Sequence, residues 1–483
     1  LMGVKPLVYS AAPGGIYFAS ELKALLPSLE RREIDVRALH SYLVFEYIPA
    51  PLCIFKNIEK LPAGGRLVWE KGGIRTWTES LPPAEELHGS EAECREQLRT
   101  LIRESLDLQC PREWPLVLFL SGGLDSGVLA SRMPGRGDAL TIDVAGCEPE
   151  EADLATEVAR RHTWRHHRIK LDHTGAMALV NELAQVVDEP YADASLVPTY
   201  LVCKQARAFG PVALSGDGGD ELFGGYQTYP AHRFSGWYGH LPAIVRRLVA
   251  GGIEHLPPLN GHLSPDFLAR KFLRGAGLHP AAANAGFWGA FLPLEARRLL
   301  TDDVNAALGD WEPHQHARDI YEREGRSGLA AVMDMDLRLH LGENLLMKLD
   351  KASGAVGLEV RVPYLHTPLV RFARAMPDKW KVRMLQTKVF FRRTFSDDLP
   401  AAVAWRKKHG FNIPLRAWLR DELYEWVASA LQSQCSREQG LFRPAAVDRL
   451  LEEHRTGRRN HRQELWALFM FQLWYERYTG PLS

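Results

Sequence analysis

Over the first 78 residues the apolar positions recur in short, turn-broken runs. Val4 to Ser10 and Gly15 to Ala19 are strand-like and separated by Ala-Pro-Gly, which predicts a hairpin. Between Ile34 and Tyr47 the period lengthens, and Val36, Leu39, Leu43 and Tyr47 share one helical face. Pro49, Pro51 and Pro62-Ala-Gly-Gly mark loops before a short strand at Arg66 to Trp69. This sheet-rich piece is expected to pack against something upstream. Thr78 to Ser90 is polar and proline-containing, and reads as a domain linker.

Beyond it, an amphipathic helix spans Glu91 to Leu108, and then strand and helix alternate. Leu116 to Leu120 is a continuous apolar run, the mark of a fully buried strand. Helix Ser126 to Met133, strand Ala139 to Ala145, helix Glu150 to His162 and strand His167 to Leu171 follow. Helices Gly175 to Val187 and Leu196 to Phe209, then strand Pro211 to Leu214, complete the series. Such alternation predicts an α/β fold, a doubly wound parallel sheet, over about residues 110–230. From Ala231 to the end the pattern is mostly helical, with no repeat and no low-complexity segment.

Composition narrows the function class. A chain of 483 residues implies two or three domains. Lys+Arg and Asp+Glu number 59 each, so no global field draws in nucleic acid or an acidic membrane, and small molecules are the expected partners. Six cysteines show no CxxC pair and no histidine at metal-ligand spacing, which predicts reduced thiols in a cytoplasmic protein. No apolar run approaches the roughly 20 residues a membrane span needs.

Two glycine-rich loops carry the chemistry. The strand at Leu116 to Leu120 runs into Ser121-Gly122-Gly123-Leu124-Asp125-Ser126, and a helix follows. In an open parallel sheet, ligands bind beyond the carboxyl ends of strands. The glycines admit an anion to backbone N–H groups, the hydroxyls add donors, and the helix N-terminus adds positive potential. These are the parts of a pyrophosphate cradle for ATP. Asp125 would repel phosphate unless a cation lay between them, so it is assigned to Mg2+. The loop is not a Walker A sequence, because GxxxxGK[ST] is absent.

The second loop, LSGDGGDELFGGY, repeats this logic after Pro211 to Leu214. Ser215 and Gly216 are expected to meet the nucleotide. Asp220 would complete the Mg2+ site opposite Asp125, and Asp217 would contact the acyl substrate or position the incoming amine. An exposed acidic turn is the bland alternative.

Together SGGLDS and SGDGGDELFGGY resemble the synthetase domain of the glutamine-dependent asparagine synthetases. Met347 to Leu365, Gln386-Thr387-Lys388 with Phe391-Arg392-Arg393, and Lys407-Lys408-His409-Gly410-Phe411 with Pro414 and Trp418 resemble further elements of that family. Upstream, GVKPLVY, YFASELKALL and Ile58 to Gly64 are similar to the last third of its glutaminase domain. The resemblance implies an ATP-pyrophosphatase-type fold over residues 90–483. It also implies the C-terminal remnant of an N-terminal-nucleophile glutaminase domain over residues 1–80. The implied chemistry is adenylation of a side-chain carboxylate, typically aspartate, followed by attack of ammonia to give the amide, pyrophosphate and AMP. By matching positions, the backbone around Phe119 and Val144 would hold adenine, and Lys388 would neutralise the departing pyrophosphate. A homodimer is a candidate assembly.

Arg361 and Glu359 could equally pair to hold loops together, and the Lys407-Lys408 pair could be a solvated face. The family's cysteine nucleophile and its glutamine-binding residues lie upstream of the matched region. The chain as given is therefore expected not to hydrolyse glutamine, Leu1 opening a shortened reading of a longer amidotransferase. Gly354 stands where many relatives carry Met, and His366 where Asp follows. These departures leave the acceptor open to sugar acids or peptides, and a non-catalytic ATP-binding scaffold is the reading from another class. Phe234 to Asp302 carries no motif, and is expected to line the acceptor pocket.

Overall fold

This computed structural model describes residues 2–12, 15–70, 73–84, 87–110, 113–133, 135–146, 150–254, 265–406 and 413–479. Antiparallel strands β1 (Val8–Ala12) and β2 (Gly15–Ala19) form the expected hairpin, and β3 (Glu59–Lys60) joins β1 on its other edge. Helix α1 (Val36–Phe45) lies between them in sequence, capped by Asp35, whose carboxylate accepts the Arg37 amide. Strand β4 (Gly65–Glu70) pairs with β5 (Gly73–Thr78), which the sequence reading did not anticipate.

The N-terminal piece buries apolar side chains against the rest of the chain. Leu39, Leu43 and Phe55 belong to one hydrophobic cluster with Val117 and Leu118 of the central sheet and Phe469 and Trp474 of the C-terminal helix. The Tyr42 hydroxyl donates to the Ala467 carbonyl at 2.6 Å, and the Phe55 and Trp474 rings lie 5.4 Å apart. Burial of this kind, at about 25 cal/mol per Å² of apolar surface, joins the two parts in one core.

The segment read as a linker is pinned down. Arg338 donates to the carbonyls of Ala63 (2.9 Å) and Glu79 (2.5 Å), and Arg374 donates to the Pro82 carbonyl. Both arginines also pair with Glu324, whose carboxylate accepts the Leu81 amide at 3.1 Å. Polar composition suggested a tether, but the backbone carbonyls of this stretch satisfy buried guanidinium groups of the helical region.

Helix α2 (Glu91–Gln109) begins with a capping box, Ser90 and Glu93 each bonding the other's backbone amide. Then come β6 (Leu116–Phe119), α3 (Leu124–Arg132), β7 (Gly137–Val144), α4 (Glu150–Arg161), β8 (Arg165–Leu171), α5 (His173–Val186), α6 (Leu196–Ala206) and β9 (Val212–Leu214). The predicted alternation is present. A fifth strand, β10 (Glu359–Arg361), arrives from far downstream and pairs parallel with β9. Three residues are too few to show a period, so this strand left no signal in the pattern.

The five strands are parallel and ordered β10-β9-β6-β7-β8. From β6 the chain winds outward through β7 to β8, then returns to the other side of β6 as β9. The topological switch therefore falls between β6 and β9, the place where doubly wound sheets open a ligand crevice at their carboxyl edge. Among the described residues no helix is long and apolar enough to cross a membrane.

Candidate active site

Both glycine loops leave the sheet at this switch point, one after β6 and one after β9. In the first loop, Ser121 and Ser126 hydroxyls lie 3.1 Å apart, and the Gly123 amide donates to Ser121 Oγ at 3.4 Å. Gly123 caps α3 without any side-chain cap, so the helix N-terminus is turned toward the crevice with its amides unspent on a capping side chain. Gly122 has φ +68°, and a Cβ there would lie 2.2 Å from the Glu151 carbonyl oxygen. Its glycine is needed for packing against α4, not only for access of an anion. Leu124 points into the core rather than the crevice.

The second loop begins with the Ser215 amide donating to the Arg361 carbonyl at 3.0 Å, so β10 positions it. Arg361 itself donates to the Gln109 carbonyl at 2.6 Å, while Glu359 faces Lys5. The two do not pair with each other. Ser215 Oγ donates to Asp217 Oδ2 at 2.5 Å. Helix α7 (Gly219–Phe223) then carries Asp220 and Glu221 inward. A Cβ on Gly219 would meet Asp125 Oδ1 at 2.6 Å, so this glycine lets the two loops touch.

Asp125, Asp220 and Lys388 converge although they lie far apart in the chain. Lys388 Nζ stands 2.6 and 2.5 Å from the two Asp125 oxygens and 2.6 Å from Asp220 Oδ1, with only 3% of its side chain exposed. Its backbone is left-handed (φ +53°), and its amide donates to the Gly224 carbonyl at 3.2 Å. Tyr364 fixes Asp125 from behind, donating to its carbonyl at 2.9 Å. Glu221 is buried, which with Asp220 alongside pushes its pKa up to about 8, and the Tyr226 hydroxyl donates to it at 2.6 Å.

Asp125, Asp220, Glu221 and Tyr226 open onto a cavity of about 670 Å³, within the range of small-molecule sites, while Lys388 lies behind its wall. Phe119, Ser121, Asp125, Ser126, Ser215, Gly216, Asp217 and Asp220 line it. Val144 does not: the wall stops at Leu140 and Ile142, on the same face of β7 but nearer its middle. Lys407 to Phe411 lies outside the described residues. Phe234, Phe272 and Trp288, from the stretch without motif, do form part of the wall.

Two buried carboxylates held this close need a cation between them, and Lys388 supplies it. Among the described residues no three His, Cys, Asp or Glu side chains form a metal cluster. Two carboxylates are nonetheless the donor set that suits Mg2+, which commonly takes one or two of them and completes its shell with phosphate oxygens and water.

The family model described as Asparagine synthase matches residues 97–476, and that of a glutamine amidotransferase domain matches residues 1–79. The chain belongs to the asparagine synthase family. It is a ligase by that membership. A Mycobacterium tuberculosis protein provisionally named as a glutamine-hydrolysing asparagine synthetase is 30% identical over 98% of this chain and 73% of its own length. Asparagine synthetase 1 of Bacillus subtilis is 27% identical over 98% of this chain and 74% of its own. An NMN synthetase structure from Francisella tularensis covers 53% of this chain and 97% of that one, at 18% identity and a TM-score of 0.23, too low to support an argument.

Within the family frame, several cavity residues had escaped the sequence reading. A π-helical stretch, Leu337–Leu345, aims Arg338 at the segment after β5 and turns His340 and Asn344 to the cavity. His340 stacks on Trp288 with ring centroids 4.7 Å apart, and burial pushes its pKa down to about 4. Glu46, at the left-handed end of α1, also reaches the cavity and accepts from Gln463 at 2.7 Å. A glutamate at φ +71° is uncommon, but φ cannot be read from residue order.

Proposed function

We propose that this chain adenylates the side-chain carboxylate of aspartate with ATP, releases pyrophosphate, and passes the acyl group to ammonia, giving asparagine and AMP. The observation that carries this reading is the buried Asp125–Lys388–Asp220 set at the switch point, flanked by both glycine loops. Residues 1–80 are read as the amidotransferase portion and 90–483 as the synthetase portion, the core of the latter being 110–230.

In this reading the Ser121 to Ser126 loop and the α3 N-terminus hold the phosphates, and Phe119, Leu120, Leu140 and Ile142 flank the base. Asp125 and Asp220 would hold Mg2+, which supplies charge neutralisation as a phosphate-bound Lewis acid. Lys388, displaced from between them, neutralises the leaving pyrophosphate as a point charge. Asp217, oriented by Ser215, would contact the acyl substrate or position the incoming amine. In balance, the acceptor carboxylate oxygen attacks the α-phosphorus and the bond to pyrophosphate breaks. Ammonia then forms the C–N bond, AMP leaves, and one proton departs from nitrogen.

Glutamine is the nitrogen source this reading assigns to the amidotransferase portion, and free ammonia is the substitute for it. The test is to incubate the chain with ATP, Mg2+, aspartate and ammonium and identify the nucleotide product. AMP with pyrophosphate supports the reading; ADP with phosphate removes it. ATP binding with no turnover at high ammonium would favour a scaffold instead.

A further inference from the structure

The balance of acidic and basic residues over the whole chain does not hold locally. Between Thr228 and Gly275 the sequence sets Arg233, Arg246, Arg247, Arg270, Lys271 and Arg274 against two acids, Glu254 and Asp266. Three helices occupy this stretch, α8 (Thr228–Gly239), α9 (Ala243–Glu254) and α10 (Pro265–Gly275). Helix α10 packs on α9, and the Tyr238 hydroxyl of α8 donates to the Arg246 carbonyl of α9 at 3.1 Å. The Tyr238 and Phe272 rings meet edge-on at 5.6 Å, which ties α8 to α10 as well. The unit borders the cavity, because Phe234 of α8 and Leu268 of α10 belong to its wall.

Helix α9 turns an apolar face outward. Ile244 and Leu248 are each 72% exposed, and Val245 and Val249 each 39%. Positions i, i+1, i+4 and i+5 fall on one side of a helix, so these four side chains make a continuous stripe. With about 100° between successive residues, Arg246 and Arg247 stand on the two edges of that stripe. A Cβ on Gly252, further along the same face, would meet nothing within 4 Å. Leu385, on another segment lining the cavity, is 68% exposed. A single exposed leucine needs no explanation, but an aliphatic stripe with basic edges beside a cavity marks an interaction surface.

Charge decides what covers it. A second copy seated face to face would set the arginines of one copy against those of the other, and like charges at a contact repel. Aliphatic side chains edged by arginine, whose stem lies along apolar surface while its head reaches outward, suit a helix resting in a lipid headgroup layer. Anionic headgroups supply the opposite charge. At 12 residues α9 is too short to span a bilayer and would lie in its surface. We infer that α9 docks on an anionic lipid surface, with the Ile244 and Leu248 side chains at the acyl boundary and Arg246 and Arg247 at the phosphates. Docking of this kind is independent of which carboxylate the cavity activates.

The test is co-sedimentation of the full chain with vesicles of phosphatidylcholine, alone or with about 30% phosphatidylglycerol. Wild type should sediment with the anionic vesicles and stay in solution with the neutral ones. Salt at about 1 M, where screening acts within about 3 Å, should release most of it. Ile244→Ser combined with Leu248→Ser should weaken binding at least about 10-fold, and Arg247→Glu by about 5- to 30-fold. Arg247→Lys keeps the charge and should bind like wild type. These side chains are exposed, so thermal midpoints should stay at the wild-type value and show that the variants fold. Wild type that ignores the anionic vesicles overturns the inference, as do serine and glutamate variants that bind as well as wild type. In sedimentation velocity, a wild-type dimer that the double serine variant converts to monomer would assign the face to a second copy. Binding to polyglutamate but not to the vesicles would assign it to an acidic protein. Either result overturns lipid docking.

Discussion

Lys388 Nζ contacts both carboxylate oxygens of Asp125, at 2.6 and 2.5 Å, across 263 residues of chain. The same ammonium reaches Asp220 at 2.6 Å. Two carboxylates this close cannot both stay ionised without a cation between them. Here the lysine is that cation.

Lys388→Met should therefore destabilise the protein by about 3–5 kcal/mol in metal-free buffer, because it leaves buried acids unpaired. Mg2+ with ATP should restore most of the loss. Urea unfolding with and without Mg2+ and ATP checks this; an equal loss in both conditions would count against a shared cation site.

Gly225 is a steric hinge of the same arrangement. A Cβ there would fall 1.8 Å from Asp220 Oδ1 and 2.4 Å from Lys388 Cε. Gly225→Ala should cut pyrophosphate release by at least about 100-fold, the scale seen when one electrostatic group of an active site is lost. Gly354 meets nothing within 4 Å, so Gly354→Ala should leave turnover intact and stabilise its helix by about 0.5–1 kcal/mol. Steady-state kinetics and thermal melts of the two variants separate these outcomes.

Arg374 ties the segment after β5 to the helical region. Its guanidinium spans Asp334 (2.9 Å to each oxygen), Glu324 and the Pro82 carbonyl. Arg374→Met should cost about 3–5 kcal/mol and speed proteolytic cleavage between residues 79 and 90. Limited proteolysis followed by mass spectrometry reads the site of cutting directly.

Asp336 lies fully buried, one oxygen accepting Asn284 Nδ2 at 2.5 Å, and burial pushes its pKa up to about 7. The folded state thus holds a proton that the unfolded state releases near pH 4. Its stabilising contribution is complete below about pH 4 and declines as pH rises through about 7. Asp336→Asn removes that dependence, so the variant should gain on wild type between pH 5 and pH 8. Urea midpoints at those two values give the sign.

Sequence alone determined what short-range physics encodes. The apolar run at Leu116 to Leu120, the alternation after it and the two glycine loops follow from local propensity and periodicity, which are written in neighbouring residues. The place of both glycine loops at the carboxyl edge of the sheet was legible for the same reason. Tertiary structure alone decided what depends on distant segments meeting. The strand Glu359–Arg361 has no local signature and exists because β9 offers it an edge. The segment after β5 is fastened because guanidinium groups some 250 to 290 residues away need its carbonyls. Lys388 was named from a motif, but its place between Asp125 and Asp220 is set by folding. So is the left-handed Glu46, because electrostatic pairing and close packing act through space and not along the chain.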